Sequence, residues 1–323
     1  MLTDNIRRNV PATVAVLLLI ISSFWIKTVP HDVENFSTNC VFQSLIDSIN
    51  SGTILKKYLG AVFVFAICIV LYYINNKHTF INSREQLLPL ILSLNISAFS
   101  FLHVFSGLHV ALIFIALSFE RIFRTYRTEY AFSDVFVAGF YSGMAGLFYG
   151  PSVILLVTLI FALLRIKPIK LRDNIVLVSG FVCPYYISSF YFFFSRDDRK
   201  IPFLKIIESF DFRLSAIDDF GFSQWIFIII SGLLTLFGLI STQTDINLSG
   251  RKTMAVNAVF IWTLIVLTAC LIFFSADKNV IGLTVIPAAV LATNTFTRIT
   301  GKYLNDSLLV IFVISAYAAF YLS

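Results

Sequence analysis

Charged residues are scarce in this sequence, and their scarcity decides the class of protein. Asp, Glu, Lys and Arg make up 13% of the 323 residues, whereas 58% are hydrophobic and the mean hydropathy is +0.87. Soluble domains carry about 25% charged residues, so the chain has too little charge to cover a water-soluble fold. The net charge of +6 does not indicate a nucleic-acid partner, because the basic residues lie at the ends of apolar segments and form no single stripe.

Cysteines are few, and motifs for catalysis are missing. Only four cysteines occur (Cys40, Cys68, Cys183 and Cys270), and none lies at motif spacing from another. The spacing therefore indicates neither a disulfide framework nor a metal site. Phosphate-binding loops, dinucleotide fingerprints, H-E-x-x-H and G-x-S-x-G are also missing. The sequence therefore identifies neither a metal nor a cofactor.

The apolar segments also lack Asp, Glu, Lys and Arg in their middles. Ion-coupled transporters and pumps usually hold such groups near the bilayer midplane, so this absence disfavours a transporter or flippase. A neutral site between broken helices is the alternative, with candidates at Pro89, Gly143, Gly146, Pro184 and Pro287. Packing and kinks explain these residues more simply, and the spacing of Gly139, Gly143 and Gly146 predicts a close helix–helix contact.

Apolar runs predict an all-α, polytopic helical membrane protein with about eleven transmembrane segments. Four of the segments form two short central hairpins between residues 87 and 164. A helix needs about 20 residues to cross a bilayer, so these short helices must tilt little, use polar residues of their turns, or lie where neighbours shield their ends. The predicted segments are 10–26, 58–74, 87–102, 107–119, 134–149, 151–164, 174–194, 223–240, 254–274, 281–297 and 308–322.

The distribution of Lys and Arg predicts the orientation. With the N-terminus in the cytoplasm, 15 of the 24 basic residues fall in cytoplasmic turns, and the short outer turns hold only Lys278. The C-terminus would then be periplasmic. The first segment continues Phe24-Trp25-Ile26-Lys27 without a cleavage pattern, so we interpret it as a retained anchor.

Two longer outer loops, 27–57 and 195–222, interrupt a single predicted transmembrane domain that covers residues 1–323. Each contains apolar residues at helical spacing and is expected to form an amphipathic helix on the membrane surface. The loops also hold most of the polar groups at the outer face. The first begins with His31, Asp32 and Glu34, and the second with Arg196, Asp197, Asp198, Arg199 and Lys200.

These outer residues are the candidate site. A carboxylate just outside a helix end can act as a general base or metal ligand, which makes Asp32 and Glu34 the catalytic candidates. Arg196, Arg199 and Lys200, together with His103 of the first hairpin turn, are candidates for binding a lipid phosphate. The competing interpretations are solvated loop charges, an anchor at a helix end, and interfacial hydrogen bonding by His103 and His109.

Residues 86–194 resemble an uncharacterised family of polytopic membrane proteins of Bacteroidota. The similar parts are residues 112–123 (LIFIALSFERIF), 138–151 (AGFYSGMAGLFYGP) and 172–185 (RDNIVLVSGFVCPY). The resemblance implies a bacterial inner-membrane location but no catalytic residue. More distantly, the layout resembles multi-pass glycosyltransferases that use lipid-phosphate sugar donors, in which acidic residues occupy positions like those of Asp32 and Glu34.

The favoured hypothesis is therefore a transferase- or polymerase-like protein of cell-envelope biogenesis. It would act on lipid-linked sugars, with membrane lipids as partners and a polyprenyl phosphate in its substrate. The alternatives are a non-enzymatic membrane subunit that binds protein partners in an envelope assembly complex, and a transporter or flippase.

Overall fold

The computed structural model describes residues 10–26, 53–79, 81, 86–128, 130–166, 171–194, 220–244, 251–274, 278–299 and 301–322. These residues form α-helices and short 3-10 helices, with no strand among them. The helices are α1 (Val10–Ile26), α2 (Thr53–His78), α3 (Leu87–Ser97), α4 (Gly107–Arg124), α5 (Phe132–Phe148), α6 (Leu155–Ile166), α7 (Leu171–Phe194), α8 (Phe222–Thr244), α9 (Arg251–Phe274), α10 (Ile281–Arg298) and α11 (Lys302–Tyr321).

Each predicted apolar segment coincides with one of these helices, and the fold is that of a helical membrane protein. Five helices (α2, α7, α8, α9 and α11) are long and apolar enough to cross a membrane. α2 begins at Thr53, inside the predicted outer loop 27–57, because its helix extends beyond the apolar run. The two predicted surface helices otherwise lie outside the described residues.

Neighbouring contacts show that successive helices alternate in direction, which gives the bundle two ends. α4 and α5 are antiparallel, since Arg121 near the end of α4 pairs with Asp134 in the first turn of α5. α2 and α4 are parallel, since Lys77 and Glu120 meet near their last turns. We call the end formed by Lys77, Glu120, Arg121, Asp134 and Lys252 the basic end. We call the opposite end, formed by Trp25, Phe101, His103, Phe220 and Phe320, the aromatic end.

The short helix α3 lies at the centre of the bundle, and every one of its residues is buried. Its 11 residues span only about 16 Å at a rise of about 1.5 Å per residue. α1, α2, α10 and α11 pack around it, and Ser231 of α8 donates a hydrogen bond to Asn95 Oδ1 at 3.1 Å. Protein neighbours therefore enclose this short helix, which is one of the three arrangements that its length allows.

α5 and α7 pack closely through glycines. A methyl group at Gly139 would overlap the carbonyl oxygen of Leu177, and one at Gly143 would overlap that of Phe181. Gly180 of α7 approaches the backbone of Phe136 in the same way. Association in lipid depends on such close van der Waals contact. The glycine spacing therefore makes a helix–helix contact, as predicted.

Several buried polar side chains inside the bundle bond to each other or to the backbone. Asn294 donates to Asn257 Oδ1 at 3.2 Å, which joins α10 to α9. Thr295 donates to the carbonyl of Leu234 at 2.6 Å, which joins α10 to α8. Unpaired polar groups are costly in hydrocarbon, so these bonds fix which helices lie side by side.

We expect Gly139→Ala to destabilise the protein by about 1–3 kcal/mol, because the added methyl group forces α5 and α7 apart. Gly232→Ala on α8 is the matched control, since a methyl group there meets nothing within 4 Å. Thermal unfolding of the two variants in the same detergent measures the difference. Equal melting temperatures would contradict the proposed contact.

Candidate functional site

The aromatic end is built around the turn between α3 and α4, which contains His103. The His103 ring stacks on Trp25 with centroids 4.1 Å apart and on Phe320 with centroids 4.7 Å apart. Its Nε2 bonds the carbonyl oxygen of Ser97 at 2.8 Å. The side chain is 0% exposed. In this structure His103 joins the end of α1, the turn and the end of α11.

The same turn is closed by His109 and Ser106 at the start of α4. The Ser106 N–H lies 3.3 Å from His109 Nδ1, and His109 Nε2 lies 3.0 Å from the carbonyl oxygen of Leu102. If Nδ1 accepts the first bond, Nε2 carries the proton and donates the second. This capping arrangement holds the 3-10 turn Ser100–His103 against α4. Both histidine side chains thus bond to backbone carbonyl oxygens, His103 to that of Ser97 and His109 to that of Leu102.

The other candidate site residues, Asp32, Glu34, Arg196, Arg199 and Lys200, lie outside the described residues. The chain that leads to them is described. Trp25 precedes residues 27–52, and Phe220 follows residues 195–219. Trp25 stacks on His103, while Phe220 lies 6.3 Å from Phe101 in the same turn. Both loops therefore connect to the bundle at the aromatic end.

Of the six candidate site residues, His103 is thus the one that the structure describes. A bond from its ring to a lipid phosphate would require the Trp25 and Phe320 rings to separate from it, because they cover both faces. Its assignment as a phosphate ligand stays a prediction, as do the roles of the other five residues.

At the basic end, the structure forms a cluster that the sequence did not reveal. Glu120 is 4% exposed, and its Oε1 accepts hydrogen bonds from Lys77 Nζ at 2.8 Å and Arg124 Nε at 2.6 Å. Arg121 Nε lies 3.7 Å from Oε2, and Arg121 Nη1 binds Asp134 Oδ1 at 3.1 Å. Of these contacts, the sequence indicates only the one between Glu120 and Arg124, because their spacing is that of a helical ion pair.

A third helix completes this cluster. Lys252 of α9 lies with Nζ 3.4 Å from His78 Nδ1, and His78 Nε2 lies 3.7 Å from Glu120 Oε1. Thr253 donates to the carbonyl oxygen of Thr79 at 3.2 Å. α2, α4 and α9 thus meet around one carboxylate, and residues distant in sequence come together.

Burial and hydrogen bonding act in opposite directions on Glu120, which lies just beyond the predicted segment 107–119. Burial raises its pKa, but the hydrogen bonds from Lys77 and Arg124 and the charges of both groups prevail. The pKa of Glu120 therefore lies below its usual value. Its carboxylate is ionised at neutral pH and holds the surrounding cations in place.

Comparison with known proteins does not identify a family. No protein-family model, no curated protein and no solved structure matches the chain. Within the described part of the chain, no three His, Cys, Asp or Glu side chains are grouped as they would be around a metal ion. Function is therefore inferred from geometry and charge.

We expect His103→Ala to lower the free energy of unfolding by about 2–5 kcal/mol, because it leaves a cavity between Trp25 and Phe320. His103→Phe should lower the free energy of unfolding by less, since it retains the ring stack and loses only the hydrogen bond to Ser97. Tyr58→Ala, at an exposed position of the same end, is the control. Thermal unfolding in detergent measures all three, and an unchanged His103→Ala variant would show that the stack contributes nothing.

Proposed function

We propose that this protein crosses the bacterial inner membrane eleven times and acts in cell-envelope biogenesis. In this proposal the N-terminus is cytoplasmic, the C-terminus is periplasmic, and the aromatic end faces the periplasm. The protein would be a transferase- or polymerase-like enzyme for lipid-linked sugars. The observation that supports it best is that loops 27–52 and 195–219 connect at one end of the bundle, around the turn Ser100–His103.

Connection at one end is what the proposed chemistry requires. A glycosyl transfer from a lipid phosphate needs a group that removes a proton from the acceptor and cations that hold the departing phosphate. Asp32 or Glu34 would be the base or a metal ligand, and Arg196, Arg199 and Lys200 would bind the phosphate of a polyprenyl-phosphate donor. If the two loops were attached at opposite ends, about 30 Å of hydrocarbon would separate these groups.

The aromatic end also has the chemistry of a membrane–water boundary. Trp225 and Phe222 at the start of α8 are exposed, and Tyr58 near the start of α2 is 67% exposed. Aromatic side chains concentrate at the level of the lipid headgroups. A lipid-linked substrate would present its phosphate at this level, within reach of both loops.

The second candidate function is a non-enzymatic subunit of an envelope assembly complex. One observation favours it: His103, the described member of the proposed site, is enclosed by aromatic rings and serves packing. Purification in mild detergent separates the two functions. A stoichiometric protein partner supports the subunit, whereas a single chain with bound polyprenyl phosphate supports the enzyme.

Labelling of single cysteines tests the shared location of the loops. In a chain whose four cysteines are replaced by alanine, we expect Asn35→Cys and Ser195→Cys to react with a membrane-impermeant maleimide added to intact cells. Thr128→Cys, in the turn between α4 and α5 at the basic end, should react only after the membrane is opened. Labelling of Asn35→Cys and Ser195→Cys from opposite sides would eliminate the site.

Replacement of the two acidic residues tests the chemistry. We expect Asp32→Asn combined with Glu34→Gln to abolish the envelope glycan that depends on this protein, because the amides can neither accept a proton nor bind a metal well. Asp306→Asn near the start of α11, at the other end, is the matched carboxylate control. Unchanged glycans at normal protein levels would exclude Asp32 and Glu34 as catalytic residues.

A further inference from the structure

The basic end carries more positive than negative charge where α2, α4 and α9 meet. Among the described residues of this cluster, Lys77, Arg121, Arg124 and Lys252 are cationic, and Glu120 and Asp134 are anionic. With His78 neutral, two positive charges are left uncompensated. About a third of each of the Lys77, Arg121 and Arg124 side chains is exposed, so these cations can be reached from water or from the lipid surface.

Glu120 makes this cluster rigid. Its Oε1 receives both Lys77 Nζ and Arg124 Nε, which draws cations from two helices to one point. Basic residues that merely anchor a helix end need no such buried partner and extend individually into the headgroups. The cations here are already oriented, which lowers the entropy lost when an anion binds.

His78 has an unused hydrogen-bonding group directed into the cluster. The residue is 3% exposed, and its Nε2 has no hydrogen-bond partner, with Glu120 Oε1 3.7 Å away. Its Nδ1 lies 3.4 Å from Lys252 Nζ, so that Nδ1 can accept and Nε2 carries the proton. A buried N–H without an acceptor is unfavourable, and an anion oxygen at the edge of the cluster is a group that would satisfy it.

We propose that Lys77, Arg124, Lys252 and His78 form a binding site for a phosphate-bearing anion at the basic end. Charge-assisted hydrogen bonds from Lys and Arg are the strongest that proteins make to phosphate. Basic pockets between helices at a membrane surface bind lipid headgroups in this way. The site goes beyond the proposed function, since it lies at the opposite end of the bundle from Asp32 and Glu34.

The surface next to the cluster favours a lipid as the source of the phosphate. Lys77 Nζ lies 5.8 Å from the centre of the Tyr73 ring, and Tyr73 is exposed. Ile69 and Val62 lie one and three turns from Tyr73 towards the N-terminus of α2, and both are exposed on the same face. An acyl chain could lie along this apolar stripe with its headgroup at Lys77. A soluble phosphate would use the same cations without the stripe.

Lys77→Gln combined with Lys252→Gln removes two cations and leaves Arg124 paired with Glu120. The matched control is Arg165→Gln, an exposed cation in the last turn of α6 at the same end. A Lys77→Arg, Lys252→Arg variant changes the same two side chains but retains their charge, and thermal unfolding of each variant shows whether it is folded. Each purified full-length chain is offered phosphatidylglycerol or phosphatidylcholine in mixed micelles and, separately, inorganic phosphate or chloride at equal ionic strength.

Native mass spectrometry measures bound lipid, and thermal unfolding measures the effect of phosphate. We expect the original chain to prefer phosphatidylglycerol, and the Gln variant to lose about fivefold in affinity per charge removed. The Arg165→Gln and double Arg variants should retain binding. Stabilisation by inorganic phosphate without a lipid preference, lost in the Gln variant, would also support the site and identify a soluble ligand.

Three results would overturn the proposal. The first is an original chain that prefers neither phosphatidylglycerol nor phosphate. The second is an Arg165→Gln variant whose affinity falls as much as that of the double Gln variant, because binding would then depend on the overall charge and not on this cluster. The third is a folded double Arg variant that does not bind. None of these bears on Asp32 or Glu34, so the site at the aromatic end is tested separately.

Discussion

The penalty for leaving a polar group unpaired in hydrocarbon governs the structure of this protein. Within the described residues the backbone meets this requirement by forming helices, and many of the polar side chains meet it in one of two ways. Neutral polar residues such as Asn95, Asn257 and Asn294 bond inside the bundle. Ionisable residues lie towards its ends, where Glu120 gathers cations from neighbouring helices. Apolar contact alone discriminates poorly between helices in lipid, so these polar bonds select the neighbours.

The sequence predicted the helices well because their signal is local. Apolar length located all eleven described helices, and glycine spacing identified the contact of α5 with α7. The composition of 87–102 did not show that α3 would be enclosed on all sides, because its neighbours include α10 and α11 from the far end of the chain. The Glu120 cluster was not predicted for the same reason, since Lys77 and Lys252 come to it from separate helices. The sequence assigned His103 to the first hairpin turn, but it did not show that aromatic residues of α1 and α11 enclose the side chain.

The two ends of the bundle differ in chemistry in a way that suits different tasks. The aromatic end joins its helices through stacked rings and neutral histidine bonds, and it anchors both long loops. The basic end joins its helices through ion pairs around a single carboxylate. Stacking is insensitive to salt, whereas partly exposed ion pairs weaken as salt screens them. One molecule can therefore attach both loops rigidly at one end and have, at the other end, ion pairs whose strength depends on salt.

The central position of α3 has a consequence for how the protein is made. Asn95 bonds Ser231, which is synthesised 136 residues later, and α10 and α11 follow later still. Until those helices are inserted, α3 has no complete set of protein neighbours, and its asparagine faces lipid or the insertion machinery. A ribosome adds about 5–20 residues per second, so this exposure lasts for many seconds. Chains truncated before α8 should therefore be targets for membrane proteases, even though every earlier helix is present.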